Sequence, residues 1–263
     1  MNKTAVFAAT DIPEQALLGA WGKELTLSRL ESGVGLLTLS VPGRANTLTS
    51  EVIEYMDRAI NLACESDLKA LIFTSGKPDI FLAGADIKEL LMIKAVEDVH
   101  KLAQRGHAVF KRVLELPIAT VSAVHGLCLG GGLEFILCSD RRLVSDAPHT
   151  LIGLPEVTIG LIPGLGGTQR LMAQIGLKNT LDLILSGVPK SAQEALSIGL
   201  IDEIIPADKL LERAEELALS LSQAKINRSQ ERDWRSKKME EEDGGREKRA
   251  AILKTSERVI RIK

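Results

Sequence analysis

The sequence predicts an α/β fold, and three observations carry that expectation. Short apolar runs rich in leucine and β-branched residues recur along the chain, as at residues 70–74 and 118–124. Between them lie longer stretches whose apolar residues fall at helical spacing. Glycine-rich loops stand where a strand run gives way to a helical pattern. Strands that alternate with helices in this way point to one α/β domain.

The elements follow in order. Residues 24–39 read as two strands around a turn at Ser32-Gly33, and Pro42-Gly43 breaks the run. Thr49-Ser50 caps a helix through about Cys64, with Val52, Ile53, Met56, Ile60 and Ala63 on one face. Residues 70–74 form a buried strand and residues 75–79 a turn. One helix starts near Asp86 and a second near Val96, ending before Pro117. Residues 118–124 form another buried strand, rich in β-branched residues. Gly130-Gly131-Gly132 then opens a helix from about Gly131 to Cys138, and residues 142–144 return as a strand. After the loop 163–167, helices are expected at residues 168–175, with Gly176 as C-cap, 178–186 and 191–198. Residues 199–205 read as a short strand.

Composition narrows the function classes. A chain of 263 residues is long enough for a substantial core. Its net charge of −2 provides no global attraction to nucleic acid or an anionic membrane. Cys64, Cys128 and Cys138 are odd in number and fit a reducing compartment better than a disulfide framework. The apolar run at residues 5–9 is too short for a signal sequence, and no stretch approaches a membrane span. Cytoplasm is the expected location. Residues 228–249 are mostly charged, with both signs mixed; they read as a solvated or partly disordered segment, or as a docking surface.

Chemistry concentrates in two loops and two acids. Ala83-Gly84-Ala85-Asp86 is a tight strand-to-helix turn of small residues, or a place where a ligand meets bare backbone. The glycine run serves close packing or leaves main-chain N–H groups open to a ligand. It matches no dinucleotide fingerprint, phosphate loop or nucleophile elbow. Glu134 follows in the first helical turn, among Leu133, Phe135, Ile136 and Leu137. Glu156 lies between Leu154-Pro155 and Val157. Each reads either as an ordinary exposed carboxylate or as an acid whose apolar neighbours raise its pKa for proton transfer. His125 ends an apolar strand and reads as a satisfied core or turn residue. His100, His107 and His149 lack metal-ligand spacing, so no metal is expected.

Taken together, these segments resemble the crotonase (enoyl-CoA hydratase/isomerase) superfamily. The matching stretches are Asn46-Thr47-Leu48, residues 72–78 and 81–90, Ala123 to Gly126, Gly130 to Glu134, Gly153 to Val157 and residues 162–171. They are most similar to the hydratase part of multifunctional fatty-acid oxidation enzymes. The resemblance implies a spiral of β-β-α turns over residues 23–207; an extension at 1–22 and a highly charged helical region at 208–263 lie outside it, and the charged tail departs from the family's C-terminal helices. It implies an oxyanion hole from the Ala85 and Gly131 amides, with Glu134 activating water and Glu156 delivering a proton. Coenzyme A, as part of an acyl-CoA thioester substrate, would lie along Ala83, Gly84 and Asp86, and no further cofactor is required. The implied activity is enoyl-CoA hydration in β-oxidation, with Δ3–Δ2 isomerisation open to the same acids. Another CoA-ester reaction, or an assembly role through the charged tail, including RNA association, are the alternatives. A homo-oligomer (trimer or hexamer) or association with other β-oxidation enzymes is also implied.

Overall fold

The computed structural model describes residues 17–224. The apolar run at 5–9 and the charged stretch 228–249, with its docking reading, lie outside the described residues. Eleven strands and seven α-helices are assigned within these bounds: β1 (Leu17–Trp21), β2 (Leu25–Arg29), β3 (Gly35–Leu39), α1 (Ser50–Glu65), β4 (Ala70–Ser75), β5 (Ile80–Leu82), α2 (Ile87–Met92), α3 (Val96–Glu115), β6 (Ala119–Val124), β7 (Leu127–Leu129), α4 (Gly131–Ile136), β8 (Arg141–Ser145), β9 (Leu151–Gly153), α5 (Gly167–Ser186), β10 (Lys190–Ser191), α6 (Ala192–Ser197), β11 (Glu203–Ile205) and α7 (Leu210–Gln223).

Three repeats of one unit organise the chain. A long strand is followed by a very short one and then by helix: β4-β5-α2/α3, β6-β7-α4 and β8-β9-α5. The long strands stack in parallel within a seven-stranded sheet ordered β1-β2-β3-β4-β6-β8-β11. The short ones stack in parallel in a second sheet ordered β10-β9-β7-β5. This is the crotonase spiral.

The long strands are buried almost throughout because both faces are covered. Leu71 and Phe73 of β4 point into the core shared with α1 and α3, and Ala70 and Ile72 point to the opposite face. There they meet Leu210, Ala214 and Ala218 of α7. Helix α1 begins where the sequence places it. The Thr49 hydroxyl accepts from the Val52 N–H at 3.1 Å, and Val52, Ile53, Met56, Ile60 and Ala63 are buried.

Several boundaries differ from the sequence reading. Strand β1 was not foreseen; it pairs antiparallel with β2 at the sheet edge and is largely uncovered, so it lacks a strong apolar signature. Residues 199–205 contribute strand only at Glu203–Ile205, because the preceding residues form the turn that brings the Asp202 N–H to the Arg142 carbonyl. Helix α4 ends at Ile136, two residues before Cys138. The two helices expected around Gly176 are continuous except at that glycine, whose φ of 76° leaves helical geometry.

Candidate active site

The two small-residue loops come together. Gly84 has a positive φ of 86°, and a Cβ built on it would lie 3.4 Å from the Gly131 nitrogen and 3.3 Å from the Leu129 carbonyl oxygen. Loop 83–86 and the glycine run are therefore in van der Waals contact, and glycine is what allows it. The loop is fixed from behind by Leu48, whose N–H donates to the Gly84 carbonyl (2.8 Å) and whose carbonyl accepts from the Asp86 N–H (3.3 Å). That bridge leaves the Ala85 N–H unused. Gly131 is the first residue of α4, so its N–H has no partner within the helix. Among the described residues, no protein acceptor takes either amide.

A buried asparagine sets the height of this loop. The Asn46 side chain accepts from the Val41 N–H and donates to the Ser75 hydroxyl and the Leu39 and Phe81 carbonyls. Its own carbonyl takes the Ala83 N–H at 2.9 Å. Asn46 was singled out only as part of a motif, and its bracing role depends on partners more than thirty residues away. Asp86 has a local role: its carboxylate accepts from the Lys88 and Glu89 N–H groups and caps α2.

Glu134 is 2% exposed. Its Oε1 accepts from the Leu165 and Gly167 N–H groups, each at 2.7 Å. Gly167 is the first residue of α5, which has no acidic residue in its first turn and no side-chain cap. Glu134 supplies that missing anion from another element. Burial pushes its carboxyl above the ordinary range, while the two backbone donors and the Arg170 guanidinium pull it back. None of Leu165, Gly167 and Arg170 was connected to Glu134 in the sequence reading, since no local pattern links positions more than thirty residues apart.

Glu156 sits in a 3-10 turn, Pro155–Ile159, directly over the glycine run. Its Oε1 would lie 3.0 Å from a Cβ on Gly130. Its Oε2 is buried without a hydrogen-bond partner. Burial, then the charge of Glu134, raise its carboxyl to about 7 against a backbone bond that lowers it. Two acids thus share one small space beside two free amides. One is pinned by donors that favour the carboxylate, and the other has an orphan oxygen and a proton near neutrality.

The remaining titratable groups are employed elsewhere. His125 bonds through Nε2 to the Lys77 carbonyl at 2.6 Å, and burial lowers its pKa, as befits a turn residue. Among the described residues no cysteine is in a disulfide, and Cys128 and Cys138 are buried. Among the described residues no His/Cys/Asp/Glu cluster is arranged to hold a metal ion, and no helix is long and apolar enough to cross a membrane. A cavity of about 370 Å³ between the large sheet and α7, lined by Ile72, His125 and Leu210 among others, touches neither Glu134 nor Glu156.

Comparison with known proteins gives a consistent answer. A family model described as enoyl-CoA hydratase/isomerase matches residues 29–251. The fatty acid oxidation complex subunit alpha of Shewanella loihica is 42% identical over 200 residues, which cover 75% of this chain and 28% of that protein. The homologous subunit of Shewanella baltica is 41% identical over the same shares. This chain thus spans 28% of the length of these curated relatives. The crystal structure of an enoyl-CoA hydratase from Bacillus anthracis aligns with a TM-score of 0.72 at 28% identity, covering 89% of this chain and 90% of that one. Pseudomonas aeruginosa DspI aligns with a TM-score of 0.71 at 25% identity, covering 92% and 96%.

Proposed function

The chain belongs to the enoyl-CoA hydratase/isomerase family, and from that premise we propose that it adds water to trans-2-enoyl-CoA thioesters in β-oxidation. The observation that carries this reading is the pairing of two unused amides, on Ala85 and Gly131, with two buried carboxyls that differ in their hydrogen-bond donors. Hydration needs both kinds of group, because water is delivered as two parts.

The steps follow from the geometry. The thioester carbonyl oxygen accepts from the Ala85 and Gly131 N–H groups. These fixed donors need no reorganisation as charge grows, and such a donor is worth roughly 3–4 kcal/mol in the transition state. The Glu134 carboxylate removes a proton from water, and the resulting oxygen attacks Cβ. The Cα–Cβ π electrons move toward the carbonyl oxygen, giving an enolate held by the two amides. The Glu156 carboxyl protonates Cα, and the electrons return to re-form the carbonyl. Glu134 then releases its proton to solvent and Glu156 regains one. The same acids, acting at Cα and Cγ, also suit Δ3–Δ2 isomerisation.

Coenzyme A is assigned to the edge of loop 83–86, where Ala83 and Gly84 offer backbone and Asp86 fixes the start of α2. No metal or additional cofactor enters this scheme. Exposed apolar side chains follow Glu156 along the chain, including Ile159, and a homo-oligomer, trimer or hexamer, is part of the proposal. Association with other β-oxidation enzymes and a cytoplasmic location complete the proposal.

The test is hydration of crotonyl-CoA and longer enoyl-CoA thioesters, followed by loss of the enone absorbance. Turnover is expected at one or more chain lengths and falls steeply in Glu134→Gln. Inactivity of the folded wild type on every chain length, or an undiminished rate in Glu134→Gln, overturns the mechanism.

A further inference from the structure

The turn that grips Glu134 is itself gripped by a cation. Arg170 lies in the first turn of α5, where a positive charge opposes the helix dipole. Something must offset that placement, and two contacts and a nearby charge do. One guanidinium nitrogen donates to the Leu165 carbonyl. The guanidinium carbon sits 5.9 Å from the centroid of the buried Phe110 ring. The Glu134 carboxylate provides the nearby negative charge.

Leu165 is the hinge of this arrangement. Its N–H donates to Glu134, its carbonyl accepts from Arg170, and its side chain packs against Gly106 of α3 and beside Gly131. Gly166 follows at a φ of 97°, and a Cβ there would lie 2.4 Å from an Arg170 nitrogen. The left-handed turn therefore leaves room for the guanidinium to fold back over it.

We propose that Arg170 is a positioning residue for the water-activating acid: it locks the 165–167 turn, whose amides hold the Glu134 carboxylate. Arg170 makes no contact with the two free amides, so it acts on substrate only through Glu134. Arg170 on α5 bears on Glu134 and lowers its pKa, while Glu134 bears on Glu156 and raises its pKa. The kinetic part of the inference rests on the hydration reading above.

The experiment uses Arg170→Met and Arg170→Lys in the full chain, with folding checked by circular dichroism and thermal melting. In Arg170→Met, kcat is expected to fall about ten- to a hundredfold with little change in KM, as for a misplaced catalytic group. The acid limb of the kcat–pH profile moves to higher pH, because removing the cation raises the pKa of the base. Arg170→Lys returns the limb toward its wild-type position but not the full rate, since it keeps the charge without the planar fork that spans carbonyl and ring. A folded Arg170→Met with unchanged kcat, or one whose rate falls while its acid limb stays in place, overturns the proposal.

A second readout needs no substrate. Titration of glutamate carboxyls labelled with carbon-13, with Glu134→Gln for assignment, gives the Glu134 pKa in wild type and Arg170→Met. An upward move supports the proposal and no move refutes it. Wild-type inactivity on every thioester would remove the hydration reading while this titration still decides the role of Arg170.

Discussion

Glu134 and Glu156 stand in the first turns of two short helical segments, yet their surroundings are opposites. Glu134 is enclosed on α4, with one oxygen bonded to two amides and a cation nearby. Glu156 sits on a 3-10 turn whose following residues are exposed, and one of its oxygens has no partner. The comparison teaches that a site can separate an acid from a base without a second residue type. Burial raises both carboxyls, and the supply of hydrogen-bond donors then sets them apart.

The strongest way to break this contrast is to neutralise each acid in turn. Glu134→Gln is expected to lower kcat for hydration by about 10²–10⁴-fold, with melting temperature held close to wild type. Its amide oxygen can still accept from Leu165 and Gly167. Steady-state kinetics beside calorimetry checks both halves. Glu156→Gln is expected to cost a similar factor in hydration, within about 10²–10⁴-fold. It should spare solvent exchange at Cα less than it spares the binding of an unreactive acyl-CoA. Proton exchange by NMR and direct titration of the ligand distinguish the two; equal loss in both would place Glu156 in binding and end its assignment as proton donor.

Truncation sharpens the contrast on a smaller scale. Glu134→Ala leaves two buried N–H groups without an acceptor, so it should destabilise the fold by about 1–3 kcal/mol. Glu156→Ala frees no backbone donor beyond its own and should be close to neutral. Urea unfolding of the two variants gives the difference directly, and equal losses would contradict the geometry.

The smallest effect is the most diagnostic of Glu156. Its folded carboxyl sits at about 7 against an ordinary 4.5. The folded state therefore holds the proton more tightly, and this group's contribution to stability declines as pH rises between those values. It is least favourable above pH 7. Glu156→Gln removes the penalty, so the variant should match wild type near pH 4.5 and exceed it at pH 8 by ~1–2 kcal/mol after solvent screening. Melting curves across that range check the sign; a gap that widens toward acid would reverse it.

How much of this was legible in the sequence depends on the distance over which each feature is decided. Strands β4 and β6 were readable because both faces are buried and their runs are mostly apolar, with no charged residue. Helix α1 was readable because its cap and stripe lie within sixteen residues. The second sheet was not, since β5, β7 and β9 are three residues each and exist only through pairing between successive turns of the spiral. The site divides in the same way. Both acids and both loops announced themselves by composition, and the apolar neighbours of Glu134 correctly signalled burial. The donors that separate Glu134 from Glu156 come from Leu165 and Gly167, and the cation behind them from Arg170. Those relations belong to the fold.

The close approach of neighbouring turns has a consequence for how such a chain can change. A Cβ on Gly132 would lie 2.2 Å from the Leu82 carbonyl oxygen, and one on Gly126 would lie 2.1 Å from the Asp79 carbonyl oxygen. Each glycine is a spacer of zero thickness between two stretches of main chain, and neither stretch can yield alone. In a saturation library, positions 126 and 132 should therefore return only glycine among folded clones. The outward-facing Leu91 and Met92 should accept nearly every residue. The scaffold thus divides into a part that cannot vary and a rim that can, and new chemistries would arise by redecorating that rim while the spacing between the amides stays fixed.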